Sequence, residues 1–305
     1  MDQPVLNVRS APLAGTTIHD IVGANGAIYR VFVHSPDSEP PADGWPALFM
    51  TDGNAVIATA VDALRVQADW PAGTNVGKGV IVAIGYPTDA PYDPLRRSWD
   101  LGPPPGQTYP PFFEGTPEVK TGGAEEFAAF IEQEVKPLAA SIAPLDPARQ
   151  TLFGHSFGGL FALHTLFTRP RSFLNWIAVS PAIYWEGSQL IPVRDRFLAN
   201  LPNDLSAFVH LSAGEYEGDS LAPFQLGAED EVRRLEEKRR IRTVAAAHAM
   251  AGDLARLSNG KIRTDFEIFP RETHMSVLPV AVGRAVQIAF AVREPRRPGA
   301  GIPLD

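Results

Sequence analysis

The chain has 305 residues, with 27 Lys and Arg against 35 Asp and Glu, for a formal net charge of −8. That acidity argues against non-specific binding to nucleic acid or to an anionic membrane surface. The 45% hydrophobic and 20% charged residues fit a folded, water-soluble chain, and the absence of cysteine excludes a thiol nucleophile, a cysteine metal site and any disulfide.

The amino-terminal stretch from Met1 to Arg9 has neither a basic leader nor an apolar core of signal-peptide length. No apolar run approaches the roughly 18 residues of a membrane-spanning helix. The sequence as given therefore reads as cytoplasmic, or periplasmic if a leader has been removed. Ile18 to Asp20 and Ala27 to His34 are β-rich and joined by Gly23-Ala24-Asn25-Gly26, which predicts a hairpin. Trp45 to Met50 and Gly79 to Tyr86 are continuous apolar runs, as expected of parallel strands buried on both faces, with a helix over Ala55 to Ala68 between them. Residues 87–123 break the alternation with nine prolines and with Tyr92, Trp99, Tyr109, Phe112 and Phe113. A stretch this long without regular structure is usually a lid or a linker, and its aromatics argue against disorder. We read it as an excursion over the site inside one domain spanning residues 1–305.

A single long helix is expected over Ala124 to Ala143, with Phe127, Phe130, Ile131 and Val135 on one face. Further strands are expected at Asn175 to Ser180, Ser206 to Leu211 and Arg263 to Phe269, with helices over Gln189 to Asn200, Glu229 to Leu257 and Val277 to Val292. The basic residues Arg233, Arg234, Lys238, Arg239 and Arg240 alternate with glutamates at helical spacing and read as a solvated face. Alternating strands and helices predict an α/β fold with a mostly parallel central sheet covered by helices on both faces.

The most informative stretch is Phe153-Gly154-His155-Ser156-Phe157-Gly158-Gly159, with an apolar strand-like run before it and an apolar helix-like run after it. The G-x-S-x-G spacing in that context is the signature of a nucleophile elbow, a strand-turn-helix that exposes the serine hydroxyl at the top of a sheet. The hydroxyl needs a base. Of the four histidines that follow it, His164, His210 and His248 fall within predicted helices or strands and read as structural. His274 lies in the loop between the last strand and the last helix, where the chain order nucleophile, acid, base puts the general base. The acid is sought in Gly214-Glu215-Tyr216-Glu217-Gly218-Asp219. Glu217 is the preferred position, Glu215 and Asp219 are alternatives, and a serine-histidine dyad stays open. The oxyanion donors are expected to be the backbone N–H of Phe157 and that of Gly53 or Asn54, in the turn after Met50.

With these residues placed, the sequence resembles the esterase-D-like esterases of the α/β-hydrolase superfamily, and within them the siderophore esterases that open enterobactin- and salmochelin-type trilactones. The resemblance spans roughly residues 15–292. It is carried by Met50-Thr51-Asp52-Gly53-Asn54-Ala55, Ala83-Ile84-Gly85-Tyr86, Arg97-Ser98-Trp99-Asp100-Leu101-Gly102-Pro103, the elbow, Ser180-Pro181-Ala182-Ile183-Tyr184-Trp185 and His274-Met275-Ser276-Val277. It implies ester hydrolysis without metal or organic cofactor, Glu217 as the triad acid, Arg97 near the bound substrate, and Tyr184 and Trp185 bordering the cleft. The implied substrate is a small-molecule ester, a ferric or iron-free catecholate siderophore. Such a ligand is strongly anionic while the chain is acidic, so a local basic pocket is required. Its candidates are Arg96, Arg97, Lys120 and Arg271, with Trp99 beside them for stacking. The alternatives are a general or cinnamoyl/feruloyl-type carboxylesterase, an acyltransferase, and a non-catalytic binding module on the same fold.

Overall fold

The computed structural model describes residues 12–111 and 114–292; the leader assessment and the aromatics Phe112 and Phe113 lie outside the described residues. The predicted hairpin is formed by β1 (Thr16–Val22) and β2 (Ile28–His34), antiparallel, with Val22 opposite Ile28 and Gly26 at φ +77° in the turn. The apolar run β3 (Trp45–Met50) is buried along its whole length and leads directly into α1 (Gly53–Ala68). After a single turn, α2 (Pro71–Thr74), comes the second fully buried strand, β4 (Val80–Gly85).

Residues 87–123 are ordered where described, against the expectation of a stretch without regular structure. They contain α3 (Pro94–Leu101) and a small antiparallel ribbon, β5 (Thr108–Tyr109) with β6 (Val119–Lys120). The start of α3 is written in its sequence. The Asp93 carboxylate accepts from the Arg96 N–H at 3.1 Å, and Pro94 fills the first helical position, where no N–H is needed.

The long helix expected over Ala124 to Ala143 is three pieces: α4 (Ala124–Phe130), a π-helical segment at Ile131–Val135, and α5 (Lys136–Ile142). Pro137 at the start of α5 lacks the N–H for an interior bond, so wider pairing before it relieves the conflict. Next come β7 (Leu145–His155), α6 (Phe157–Thr168), β8 (Asn175–Val179), the kinked turn α7 (Trp185–Ser188), α8 (Leu190–Ala199) and β9 (Ala207–Gly214). The helical region from Glu229 is also divided. α9 (Glu231–Ile241) buries none of its residues, and Arg242 at φ +54° separates it from α10 (Thr243–Leu257). The chain closes with β10 (Ile262–Phe269) and α11 (Val277–Ala289).

One eight-stranded sheet runs β1-β2-β4-β3-β7-β8-β9-β10. β1 and β2 are antiparallel additions at one edge, and every pairing from β4 to β10 is parallel. One apolar layer packs α1 and α11 on one face through Val56, Ile57, Val61, Val282 and Val286. The other packs α4, α6, α8 and α10 through Phe127, Phe161, Leu163, Phe197 and Met250. Parallel connections put the carboxyl ends of β3, β7, β8, β9 and β10 along one rim, which is where an open α/β sheet holds its ligands. Among the described residues, no helix is long and apolar enough to cross a membrane.

Candidate active site

β7 ends at His155 and α6 begins at Phe157, so Ser156 is the single residue of the turn between them, at φ 58° and ψ −113°. Such a conformation in a residue other than glycine costs of order 1–3 kcal/mol and persists only where its surroundings impose it. They do so here. The Ser156 N–H donates to the Val179 carbonyl at 2.9 Å, and its own carbonyl accepts from Leu160 at 3.0 Å and from Ala182 at 3.2 Å. The glycines are steric necessities. A β-carbon on Gly154 would fall on the Gly158 carbonyl, and one on Gly158 would fall on the Thr51 hydroxyl.

His274 comes from the loop after β10, as the chain order predicted. Its Nε2 lies 3.0 Å from the Ser156 Oγ, and its Nδ1 lies 2.6 Å from the Glu217 Oε2. An ionised carboxylate only accepts, so Nδ1 carries the proton and Nε2 presents its lone pair to the serine hydroxyl. Glu217 is buried, and its other oxygen, Oε1, accepts from the Ser180 hydroxyl at 2.5 Å and the Gly214 N–H at 2.8 Å. Burial raises the Glu217 pKa, but its bonds to His274, Ser180 and Gly214 outweigh that and hold it below the ordinary carboxylate value. The two alternative acids are elsewhere. Glu215 is exposed and accepts from the Arg271 N–H at 2.6 Å, and Asp219 is exposed.

The first N–H groups of α6, beginning with that of Phe157, have no intrahelical acceptor and stand directly after Ser156. Opposite them stands the β3–α1 turn. The Thr51 N–H is tied to the Phe153 carbonyl at 3.1 Å, and Thr51 and Asp52 lie against Gly158 of the elbow, while Gly53 and Asn54 rest on the end of β4. The Asn54 side chain is occupied with scaffolding. It donates to the Tyr86 and Thr88 carbonyls at 3.1 and 2.8 Å and accepts from the Tyr86 N–H at 2.9 Å, so only the backbone of this turn is available to an oxyanion.

The basic pocket expected from Arg96 and Arg97 is not formed as such. Arg97 places its Nε and Nη2 on the two carboxylate oxygens of Asp52 at 2.8 and 2.9 Å. Burial disfavours its charge, and the Asp52 carboxylate more than restores it, leaving the pKa above the usual arginine value. Arg96 is sandwiched between the rings of Tyr29 and Tyr86, at 4.7 and 5.0 Å, and donates to the Ile28 carbonyl at 3.0 Å. Arg97 is thus paired within the protein, and Arg96, half-buried, is stacked between two tyrosines with its Nη2 left without a hydrogen-bond partner. Lys120, on β6, is exposed, and so is Arg271, whose backbone meets Glu215.

Of the aromatic candidates, Trp185 lies at the elbow. Trp185 packs edge-on against Phe157 with ring centroids 4.5 Å apart, and Tyr109 of the ribbon packs on Trp185 at 4.9 Å. Tyr184 is half-buried, and Trp99 lies against Gly123, where a β-carbon would meet its indole. Glu186, at φ 50°, accepts from Tyr109 Oη at 3.2 Å and from Thr121 Oγ1 at 2.7 Å. Tyr109 and Thr121 are thereby fastened to the turn that carries Trp185.

Three participants escaped the sequence. Asp52 read only as part of a turn, although its pairing with Arg97 makes it central. Ser180 carries a φ of 45° that turns its hydroxyl onto Glu217. His155, directly before the nucleophile, is buried, and its Nε2–H donates to the His274 carbonyl at 2.8 Å. Burial and the neighbouring His274 push its pKa down to about 3, so it is a neutral donor that holds the base's loop in place. Its place beside Ser156 in the motif was the one available signal. The remaining histidines are structural, as read: His164 meets Glu125 at 2.8 Å and His210 meets Asp265 at 3.1 Å, both buried, and His248 packs on Phe266.

Comparison with known proteins fits this geometry. A family model described as "Putative esterase" matches residues 24–204, a span that includes Ser156 and stops short of Glu217 and His274. Over 280 residues the chain is 34% identical to the ferri-bacillibactin esterase BesA of Bacillus subtilis, covering 91% of this chain and 90% of the relative. It is 33% identical over 268 residues to the siderophore triacetylfusarinine C esterase of Aspergillus fumigatus, covering 85% and 86%. The solved structure of the siderophore hydrolase EstA from Aspergillus nidulans superposes with a TM-score of 0.80 at 28% identity, over 94% of this chain and 98% of that one. A nucleophile elbow on a sheet of this order, shared along nearly its whole length with such relatives, makes this chain a member of that esterase family, with the α/β-hydrolase fold.

Proposed function

We propose that the chain is a serine esterase that opens the ester bonds of a siderophore through an acyl-enzyme at Ser156. The observation that carries this is the unbroken hydrogen-bonded chain from Glu217 through His274 to the Ser156 hydroxyl. Ser156 Oγ attacks the ester carbonyl and passes its proton to His274 Nε2, while Glu217 stabilises the imidazolium. The N–H groups of Phe157 and of the Gly53–Asn54 turn receive the charge on the carbonyl oxygen. As the carbon–oxygen bond breaks, His274 returns the proton to the departing alcohol. A water then gives its proton to His274 and attacks the acyl carbonyl, and the carboxylic acid leaves as Ser156 regains its proton.

The whole-length relatives named as siderophore esterases support the substrate class. With Arg96 and Arg97 internally engaged, we assign recognition chiefly to the aromatic wall of Tyr109, Phe157 and Trp185. The test has two arms. A fluorophosphonate probe is expected to label Ser156 and to leave Ser156→Ala unlabelled; an unlabelled wild type points instead to a binding module. Incubation with iron-free and iron-loaded catecholate trilactone, followed by mass spectrometry, is expected to show linearised product. Full recovery of the macrocycle in both forms removes the siderophore while leaving the esterase.

A further inference from the structure

We propose that the last turn of α9, Lys238 to Arg240, is a cationic rim of the active-site cleft, with Arg240 meeting an anionic siderophore and Lys238 fixing the helix in place. This rests on the siderophore-esterase function just proposed. A chain of net charge −8 draws in a polyanion only through a local excess of positive charge. α9 has that excess, with five basic residues against three glutamates. Arg233 and Arg234, near its start, are engaged with Asp230 at 2.7 Å each. Arg239 and Arg240, in the last turn, are exposed and form no ion pair among the described residues.

A few contacts put this turn beside the triad. α9 buries none of its residues, and its inner face of Arg234, Leu235 and Lys238 is half-buried. A helix with so little packing depends on its polar contacts. The one that reaches the site is Lys238, whose Nζ donates to the Tyr216 carbonyl. Tyr216 stands between Glu215 and Glu217 in the helical turn after β9, and its own N–H donates to the Glu272 carbonyl at 2.9 Å. Lys238 is therefore pinned to a turn that is itself tied to the loop of His274. Burial lowers the Lys238 pKa and the Glu217 carboxylate opposes that, so the triad's acid is felt on α9. Tyr184, half-buried next to Trp185, has its phenol within electrostatic reach of Glu217 and also of Glu237 and Arg240. It thus stands near both the triad and the end of α9. The helix stops just beyond, at Arg242 with φ 54°.

The aromatic wall of Tyr109, Phe157 and Trp185 offers stacking surface and no charge. Arg240 supplies what the wall lacks: a guanidinium keeps its charge at any working pH and pairs with two oxygens at once, as a catecholate presents them. Glu237, one turn earlier, also faces Tyr184 and opposes an anion, so the attraction is moderate. An exposed charge acts mainly on encounter and specificity, and salt screens it. The basic cluster that reads in the sequence as a solvated face is solvated because the cleft it borders is open.

The experiment measures Kd for iron-loaded catecholate trilactone by quenching of tryptophan fluorescence, in a Ser156→Ala background that holds the macrocycle without opening it. At low salt Arg240→Ala is expected to weaken binding about 3–5-fold and Arg240→Glu about 10–30-fold, while Arg240→Lys keeps most of the affinity. At about 0.5 M salt the differences should shrink to about twofold. An unchanged Kd overturns the proposal. So does a loss that ignores the charge at position 240 or persists in high salt, since that is a structural effect.

Lys238→Met, in the same background, tests the pin. With folding checked by near-ultraviolet circular dichroism, amide exchange across residues 231–241 should accelerate about 5–30-fold, and Kd should rise about as much as in Arg240→Ala. Unchanged exchange means that Lys238 does not hold α9, which overturns its positioning role. The two levels are separable. If Ser156→Ala shows no quenching at all, the siderophore substrate is wrong and the rim falls with it. If it quenches but is indifferent to position 240, only the rim is lost.

Discussion

Replacing Glu217 by glutamine is the sharpest test of the hydrogen-bonded chain. Glu217 Oε1 is gripped by two donors, the Ser180 hydroxyl at 2.5 Å and the Gly214 N–H at 2.8 Å. A glutamine in the same rotamer must therefore keep its carbonyl oxygen there and turn its NH2 toward His274 Nδ1. Two donors then face each other unless the imidazole changes tautomer. With Nδ1 accepting, Nε2 carries the proton and faces the Ser156 hydroxyl without a lone pair to receive its hydrogen. The corresponding Asp-to-Asn change in a serine protease triad lowers kcat roughly 10⁴-fold. We expect a fall of roughly 10³–10⁴ here, about 4–5.5 kcal/mol in the barrier at about 1.36 kcal/mol per tenfold, with KM little altered. Glu217→Ala should be milder, since water can then accept from Nδ1–H and either tautomer is open. The assay is steady-state hydrolysis of p-nitrophenyl butyrate, with near-ultraviolet circular dichroism as the check on folding. A folded Glu217→Gln enzyme within about tenfold of wild type would refute the reasoning and leave a serine-histidine dyad.

Gly154→Ala sets a β-carbon against the Gly158 carbonyl, and overpacking against backbone should cost about 2–3 kcal/mol or more, read from the urea midpoint. His155 is held neutral in the fold, with its pKa lowered to about 3 from 6.5. The unfolded chain therefore takes up that proton first, so this contribution to stability is lost as pH falls below about 6.5, amounting to about 2 kcal/mol by pH 5. In His155→Asn, the change in unfolding free energy between pH 7 and pH 5 should shrink by about that amount; an unchanged difference would mean His155 is not the group responsible. Glu186→Ala removes the acceptor shared by Tyr109 and Thr121, worth about 1–2 kcal/mol. Amide exchange around Tyr109 and Thr121 should accelerate about 5–30-fold by mass spectrometry; unchanged exchange would show that other contacts hold these two residues down.

Legibility in the sequence followed the range of the physical cause. The elbow could be read because its requirements are local: a bend at Ser156 needs Gly154 and Gly158 within two residues of it. The buried strands Trp45–Met50 and Val80–Gly85 announced themselves as runs apolar on both faces. The division of the predicted helix at Ile131–Val135 is also local, with Pro137 as its cue, yet the cue was outweighed by an uninterrupted apolar face. Glu215 and Glu217 show the opposite situation. Two residues apart in one short turn, they are chemically identical, and only the fold sends one to the Arg271 N–H and the other to His274.

By itself the sequence determined the strand-turn-helix around Ser156, the alternating layers, and the order in which nucleophile, acid and base follow one another, because glycine sterics and apolar periodicity act between near neighbours. Tertiary structure alone decided which carboxylate reaches His274 and what Arg96 and Arg97 hold. Their partners lie on other elements: Asp52 is 45 residues from Arg97, and Ile28 is 68 from Arg96. A guanidinium is drawn to whichever acceptors the fold brings within reach, and in this chain those acceptors are the protein's own.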